Sequence, residues 1–370
     1  MPHRILFTVI GSVALLAVAG CAPAGQFHDP VAPVRQVLDE SLTNLTGQAA
    51  LRVTGTVSVL GGYALDEAEV TATVLHDGTA WTEFTTADDV EGDFLALPGS
   101  LHVRGGADFW KAENYRFGQV ERLDGNWTRV DPGHWFNPGT MFRPADFGPL
   151  LRDTVEATLT TDMDTVEIDG VETIPIEYSG GILHVTADKP HQFVGLTDLE
   201  LSAVDPTTGV RYRGVFSISP VGADELEELR LDVQKALRDL DSPFSVTGDV
   251  QVTSANSALA CTDDILCTVS VDASATVHDG AFTEQILLVL SAEITGERVS
   301  TERCSAVWEV EPDEEVEMWC ITDFKHAPPG RFVFGGDEWV DWLATYRFDT
   351  DTAGATLDEA VESALDAIDG

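Results

Sequence analysis

The chain has 370 residues, carries 63 Asp or Glu against 21 Lys or Arg for a net charge of −42, and is 44% hydrophobic. That apolar fraction supports a buried core and excludes a disordered or fibrous chain, while the length points to about two domains. The charge excludes nucleic-acid binding, because a phosphate backbone is repelled from nearly every face and no dense basic patch is present.

In chain order, the first segment reads as an export signal. Arg4 precedes an apolar run from Ile5 to Ala19, too short for a membrane span, and small residues lead into Cys21. Val18-Ala19-Gly20-Cys21 resembles a bacterial lipobox, so residues 1–20 are a lipoprotein signal peptide and Cys21 becomes the acylated first residue. The other reading of this segment is an ordinary signal cut near Ala22 or Ala24, with Cys21 discarded. More than one acyl chain makes such anchoring stable. The lipobox thus implies a palmitate-type lipid on Cys21, the membrane as partner, and a cell-surface location on the outer face of the cytoplasmic membrane. The acidity of the exported chain fits either a salt-tolerant host or simply a soluble surface facing away from anionic lipid.

Residues 21–32 form a tether. Val34, Val37, Leu38, Leu42 and Leu45 then recur at spacings of three and four, which predicts an amphipathic helix from Pro33 to Leu45. Alternating stretches follow at 51–59, 68–75, 80–84, 101–104, 127–130, 166–168, 173–178, 183–186, 196–203 and 210–218, a meander of hairpin-linked strands. A loop-and-helix insert interrupts it between Pro132 and Leu151. From Ala223 to Leu240 the pattern is helical again, with Leu226, Leu229, Val233, Leu237 and Leu240 on one side, and Asp241-Ser242-Pro243 ends it. The predicted organisation is a first domain at 33–240, a small β-sandwich at 244–330 and a helical tail at 331–370. In that tail Trp339, Trp342 and Tyr346 stand near helical spacing ahead of a final helix around Leu357 to Ile368. The fold class is α+β.

With Cys21 committed to lipid, Cys261, Cys267, Cys304 and Cys320 remain, an even set in an exported chain that reads as two disulfides. Each of the pairs Cys261/Cys267 and Cys304/Cys320 flanks its own turn, so cross-turn bridges are expected. The spacings do not suit zinc.

No G-x-S-x-G elbow, H-E-x-x-H pair, P-loop or G-x-G-x-x-G turn occurs, so the expectation is a protein that is not an enzyme and needs no cofactor or metal. Asp349 to Gly354 and Asp162 to Asp164 begin like calcium loops but lack the later ligands. Phe109, Trp110, Trp127, Trp135, Phe136 and Phe142 cluster around the insert and are either contacts for an apolar ligand or ordinary core anchors.

The stretch Leu101 to Trp110, ending Gly105-Gly106-Ala107-Asp108-Phe109-Trp110, and then Gly125-Asn126-Trp127-Thr128-Arg129-Val130, resembles the wording of actinobacterial lipoproteins of the LppX/LprG type, which have LolA-like half-barrels. Asp169 to Tyr178 and Ile182 to Ala187 resemble the later strand pair of that family. Gly106, Asn126 and Thr128 depart from it, standing where the family has an acid, a Lys and an apolar residue. The resemblance spans residues 33–220. It implies a curved antiparallel β half-barrel with covering helices, an apolar cavity between them, and a lipid or glycolipid ligand. Two functions from different classes therefore stand at this point: a carrier of an apolar ligand, and a non-catalytic surface lipoprotein without a cavity that contacts other proteins or the cell wall.

Overall fold

The computed structural model describes residues 32–60, 67–132, 135–155, 164–168, 170–178, 181–204, 211–240, 242–262, 265–278, 285–296, 299–324 and 333–369. Residues 1–31, which hold the expected export signal, Cys21 and all of the expected tether but Ala32, lie outside them. The elements are α1 (Ala32–Thr46), β1 (Ala50–Leu60), β2 (Ala68–Leu75), β3 (Ala80–Thr85), β4 (Glu91–Leu97), β5 (Ser100–Gly105), α2 (Ala107–Ala112), α3 (Phe117–Leu123), β6 (Thr128–Val130), α4 (Pro138–Met141) and α5 (Pro144–Val155). They continue with β7 (Val166–Ile168), β8 (Val171–Tyr178), β9 (Gly181–Thr186), β10 (Phe193–Val204), β11 (Arg211–Pro220), α6 (Ala223–Asp239), β12 (Phe244–Ser245) and β13 (Val250–Cys261). The last are β14 (Leu266–Val277), β15 (Gln285–Gly296), β16 (Glu302–Val310), β17 (Val316–Asp323), β18 (Phe334–Thr345) and α7 (Thr350–Asp369). The fold is α+β, built on a large, curved, non-closed and mostly antiparallel sheet.

Period-two alternation gives the sheet two unlike faces. Leu51, Val53 and Val57 of β1, Val70, Ala72 and Val74 of β2, and Phe94 and Ala96 of β4 point to an inner face, where α1, α2, α3 and α5 cover them. Ala50, Leu75, Leu95 and Leu97 point the other way and are covered by α6 and α7. α1 forms because its apolar residues fall on one stripe; Val34, Leu38, Leu42 and Leu45 are all buried. α6 is entered through Glu225, whose Oε2 accepts the Gly222 backbone N–H at 3.1 Å and fills one end of a capping box.

The sheet runs through 15 strands in the order β16-β15-β18-β12-β6-β5-β4-β3-β2-β1-β11-β10-β9-β8-β7. The two-residue strand β12 makes this continuity: Phe244 and Ser245 pair in parallel with Thr128 and Arg129 of β6 and antiparallel with Thr345 and Ala344 of β18. A separate 3-stranded sheet, β13-β14-β17, packs on the β15–β18 end and closes a sandwich core of Val269, Val271, Leu288, Leu290 and Met318. That sandwich extends beyond residue 330, because β18 pairs with β15 from Gly296↔Phe334 to Gln285↔Thr345.

The expected helical tail at 331–370 is therefore corrected. Residues 334–345 are a strand, with Trp339 and Trp342 on opposite sides of it, and only α7 is helical. Gln119 reaches across to this strand and donates to the Trp342 carbonyl at 3.0 Å. α3 fits against β15 and β16 through Gly118, whose N–H donates to Ser291 Oγ at 3.2 Å. A Cβ at Gly118 would stand 2.5 Å from that oxygen and 2.9 Å from Val289 Cγ1, so the close approach requires glycine.

Candidate functional site

The inner space between sheet and helices is where the expected aromatic residues meet. α2 starts directly after β5 and turns Phe109 and Trp110 inward; Trp110 Nε1 donates to the Gly105 carbonyl at 3.1 Å, which fixes the indole. Trp135 and Phe136 enter from the segment before α4, Phe142 follows α4, and Phe147 descends from α5. These rings interlock with rings from the strands. Phe109 lies 5.2 Å from Phe84, Phe94 lies 6.4 Å from both Trp135 and Phe136, and Phe142 lies 5.0 Å from Phe216, mostly tilted or edge-to-face. Such geometry at full burial is the geometry of a packed core. Trp110, Phe136 and Phe142 are each 0% exposed, and Trp135 is 6% exposed.

Trp127 does not join them. It precedes β6 on the outer face, packs with the α6–α7 cluster, and meets Trp81 edge-on at 5.9 Å with the Arg104 guanidinium 4.9 Å from its ring centre.

Beyond the cover of α6 and α7, the outer face is polar. Cross-strand register lines up Ser217, Thr54, Thr71, Glu83, Asp93 and Arg104 in one row across β11, β1, β2, β3, β4 and β5. The row ends in an ion pair, Arg104 Nη2 to Asp93 Oδ2 at 2.6 Å, and a second pair, Arg52 to Glu225 at 3.0 Å, ties β1 to α6. The next row contributes Val215, Thr56, Glu69 and Thr85 to an open cleft of ≈ 830 Å³ that also includes Glu200 and Arg213. Hydroxyls, carboxylates and the Arg213 side chain line it together with the exposed Val215.

Three of the described histidines, His102, His184 and His191, are buried. His102 is fully buried, stacks on Tyr346, meets Phe348 edge-on, and has Nε2 2.5 Å from Tyr346 Oη. Burial, with Arg129 adding repulsion, pushes its pKa from 6.5 to about 3, so the ring is neutral. Burial also lowers the pKa of His184, whose Nε2 is 3.3 Å from Thr197 Oγ1. His191 Nδ1 sits 2.9 Å from the Thr186 carbonyl. Among the described residues no group of three or more His, Cys, Asp or Glu side chains could hold a metal ion.

The structure contains the disulfides Cys261–Cys267, between the paired ends of β13 and β14, and Cys304–Cys320, which joins β16 to β17 and so links the two layers of the sandwich. Cys21 lies outside the described residues.

No family model matches the chain, and no curated protein matches it. Among solved structures it is similar to LprF from Mycobacterium bovis, with 14% identity and a TM-score of 0.31 over 51% of this chain and 92% of that one. A likeness of that size bears on neither ligand nor activity.

Proposed function

We propose that the chain is an exported lipoprotein, held on the outer face of the cytoplasmic membrane through acylated Cys21, and that it acts there as a non-catalytic binding protein with a solid interior. Of the two functions the sequence leaves open, a carrier of lipid or another apolar ligand and a surface protein without a cavity, the packing favours the second. The observation that carries this reading is the aromatic cluster itself. Phe109, Trp110, Trp135, Phe136 and Phe142 occupy the space where an acyl chain would have to lie, and they touch one another and the sheet. Contacts with partners then fall to the outside, where the hydroxyl and carboxylate rows present a polar, anionic surface. Long-range repulsion directs such a surface away from anionic lipid and toward neutral or cationic groups.

Two measurements test the reading together. Acyl-label incorporation in the producing host is expected for the wild type and lost on Cys21→Ala; label in both or in neither removes the anchoring claim. Uptake of a fluorescent fatty acyl probe by the soluble chain starting at residue 22 is expected to be absent, and saturable uptake restores the carrier.

A further inference from the structure

A second cavity on the outer face lies where β1, β11, β10 and β9 run side by side. Its volume is ≈ 360 Å³, within the usual range for small-molecule sites, and its walls include Arg52, Thr54, His184, Thr197, Ser217 and Ser219. We infer that this cavity binds a neutral, polyhydroxylated molecule of the size of one sugar ring, with His184 as its anchor. The inference goes beyond the function proposed above. It concerns the face opposite the aromatic interior and holds whether or not that interior takes up lipid.

The walls follow from strand register. Leu183 and Val185 of β9 point into the inner core, so His184 between them points outward. Its partner on β10 is Gly195, which has no side chain to cover it, and Thr197 stands two residues further along. Beyond β10, Arg52 of β1 pairs with Ser219 of β11, and Thr54 pairs with Ser217. His184 itself is 8% exposed. Its Nε2 is 3.3 Å from Thr197 Oγ1, while its Nδ1 is buried and has no hydrogen-bond partner. A buried polar atom in that state costs free energy until a partner reaches it. The outer torsion of a histidine is soft, so a modest turn of the ring presents that nitrogen to a molecule lying over Gly195. A neutral imidazole has one donor and one acceptor nitrogen, and a hydroxyl serves either role, so a ligand hydroxyl completes the ring in whichever tautomer it adopts.

Charge selects a neutral ligand. Among the described residues no carboxylate lines the cavity, so a cation finds no counter-charge there. Arg52 already gives its Nη1 to Glu225 Oε1 at 3.0 Å. On the other side of Arg52 lies a depression lined by Glu83, Glu225, Glu228 and Asp232, so an anion in the cavity meets carboxylate repulsion across the guanidinium. The hydroxyls of Thr54, Thr197, Ser217 and Ser219 both donate and accept, and Ile168, Val194 and Ile218 add an apolar strip. Such walls match a ring that carries hydroxyls on its rim and C–H bonds on its face. A fatty chain in the same place would leave the imidazole and the hydroxyls without partners.

The experiment uses the full chain in a polyoxyethylene detergent, which carries no sugar, and titrates it by calorimetry with glucose, galactose, mannose and N-acetylglucosamine in turn. Saturable binding of one molecule per chain is expected for at least one of them, with a matching rise in melting temperature. His184→Phe keeps a flat ring and removes both nitrogens; it is expected to melt no lower than the wild type without ligand and to weaken binding by about tenfold or more. Ser217→Ala, on the exposed side of β11, is expected to weaken it by about three- to tenfold. Ser254→Ala, exposed on β13, is expected to bind as the wild type does. Failure of all four sugars to bind saturably overturns the site, as does wild-type affinity in His184→Phe. Glucuronate binding more tightly than glucose also overturns it, because the cavity would then be taking anions through Arg52. If His184→Phe melts well below the wild type, Ser217→Ala decides alone, and undiminished affinity there overturns the site.

Discussion

The reading of the inner aromatic cluster as core makes Phe142 the most informative position. Its ring is 0% exposed and lies 5.0 Å from Phe216, 5.5 Å from Phe147 and 6.4 Å from Phe136. Truncation to alanine removes the transfer free energy of the ring and leaves a cavity, which together cost about 3 to 5 kcal/mol for a buried phenylalanine. Each edge-to-face neighbour adds roughly 0.5 to 1.5 kcal/mol beyond burial, which places Phe142→Ala toward the upper end. Against a typical total of about 5 to 15 kcal/mol, such a loss is large. Urea denaturation of the soluble chain starting at residue 22, followed by tryptophan fluorescence, reads it as a shift of midpoint at unchanged slope. A ring that lined a lipid cavity would lose few protein contacts when cut back. A cost below about 1 kcal/mol in lipid-free protein would therefore refute the argument.

Other predictions follow from single contacts. Because the folded pKa of His102 lies near 3 and its unfolded value near 6.5, its neutral state stabilises the fold fully above pH 6.5, and that contribution is lost as pH falls from 6.5 toward 3. The difference in stability between wild type and His102→Gln should change by roughly 1.4 kcal/mol per pH unit in that window, and parallel profiles would count against it. Gly118→Ala forces a methyl group against Ser291 and Val289 and should cost about 1 to 3 kcal/mol, with unaltered stability arguing that α3 does not press on β15 as described. Non-reducing peptide mapping should recover Cys261–Cys267 and Cys304–Cys320; selective removal of the second, which closes a separation of 16 residues, should destabilise by about 3 kcal/mol. Any bond between the two pairs contradicts the arrangement.

Much of the framework was legible because periodicity is a physical record of which face is buried. The stripe Val34 to Leu45 gave α1, and Leu226 to Leu240 gave α6, each within two residues of its ends. The alternation of β2 was visible because its inner residues are Ala68, Val70, Ala72 and Val74. By contrast, α2 and α3 span 6 and 7 residues, less than two full helical turns, so no stripe could distinguish them from loops. β12 is a two-residue strand whose role depends on partners more than 80 residues away in each direction, and nothing local announces it. Around β18, Trp339, Trp342 and the following Tyr346, three and four apart, imitated a helix, but strand pairing with β15 over the whole length of β18 overrode that spacing.

The aromatic residues mark a different limit. Their types and their neighbourhood in the chain pointed to one locality, and Phe109, Trp110, Trp135, Phe136 and Phe142 do meet there. Trp127 went to the opposite face because β6 begins directly after it, and a one-residue change of phase on a strand exchanges the two sides of the sheet. Whether such rings pack on one another or on a ligand depends on the third dimension, which apolar side chains do not record in their order.

Native mass spectrometry of the soluble chain starting at residue 22, purified from a bacterial expression host without detergent, tests the solid interior most directly. The predicted result is the mass of the bare polypeptide with its disulfides intact, unchanged by organic extraction. A lipid retained at fixed stoichiometry and released only on unfolding would contradict it and return the protein to the carriers.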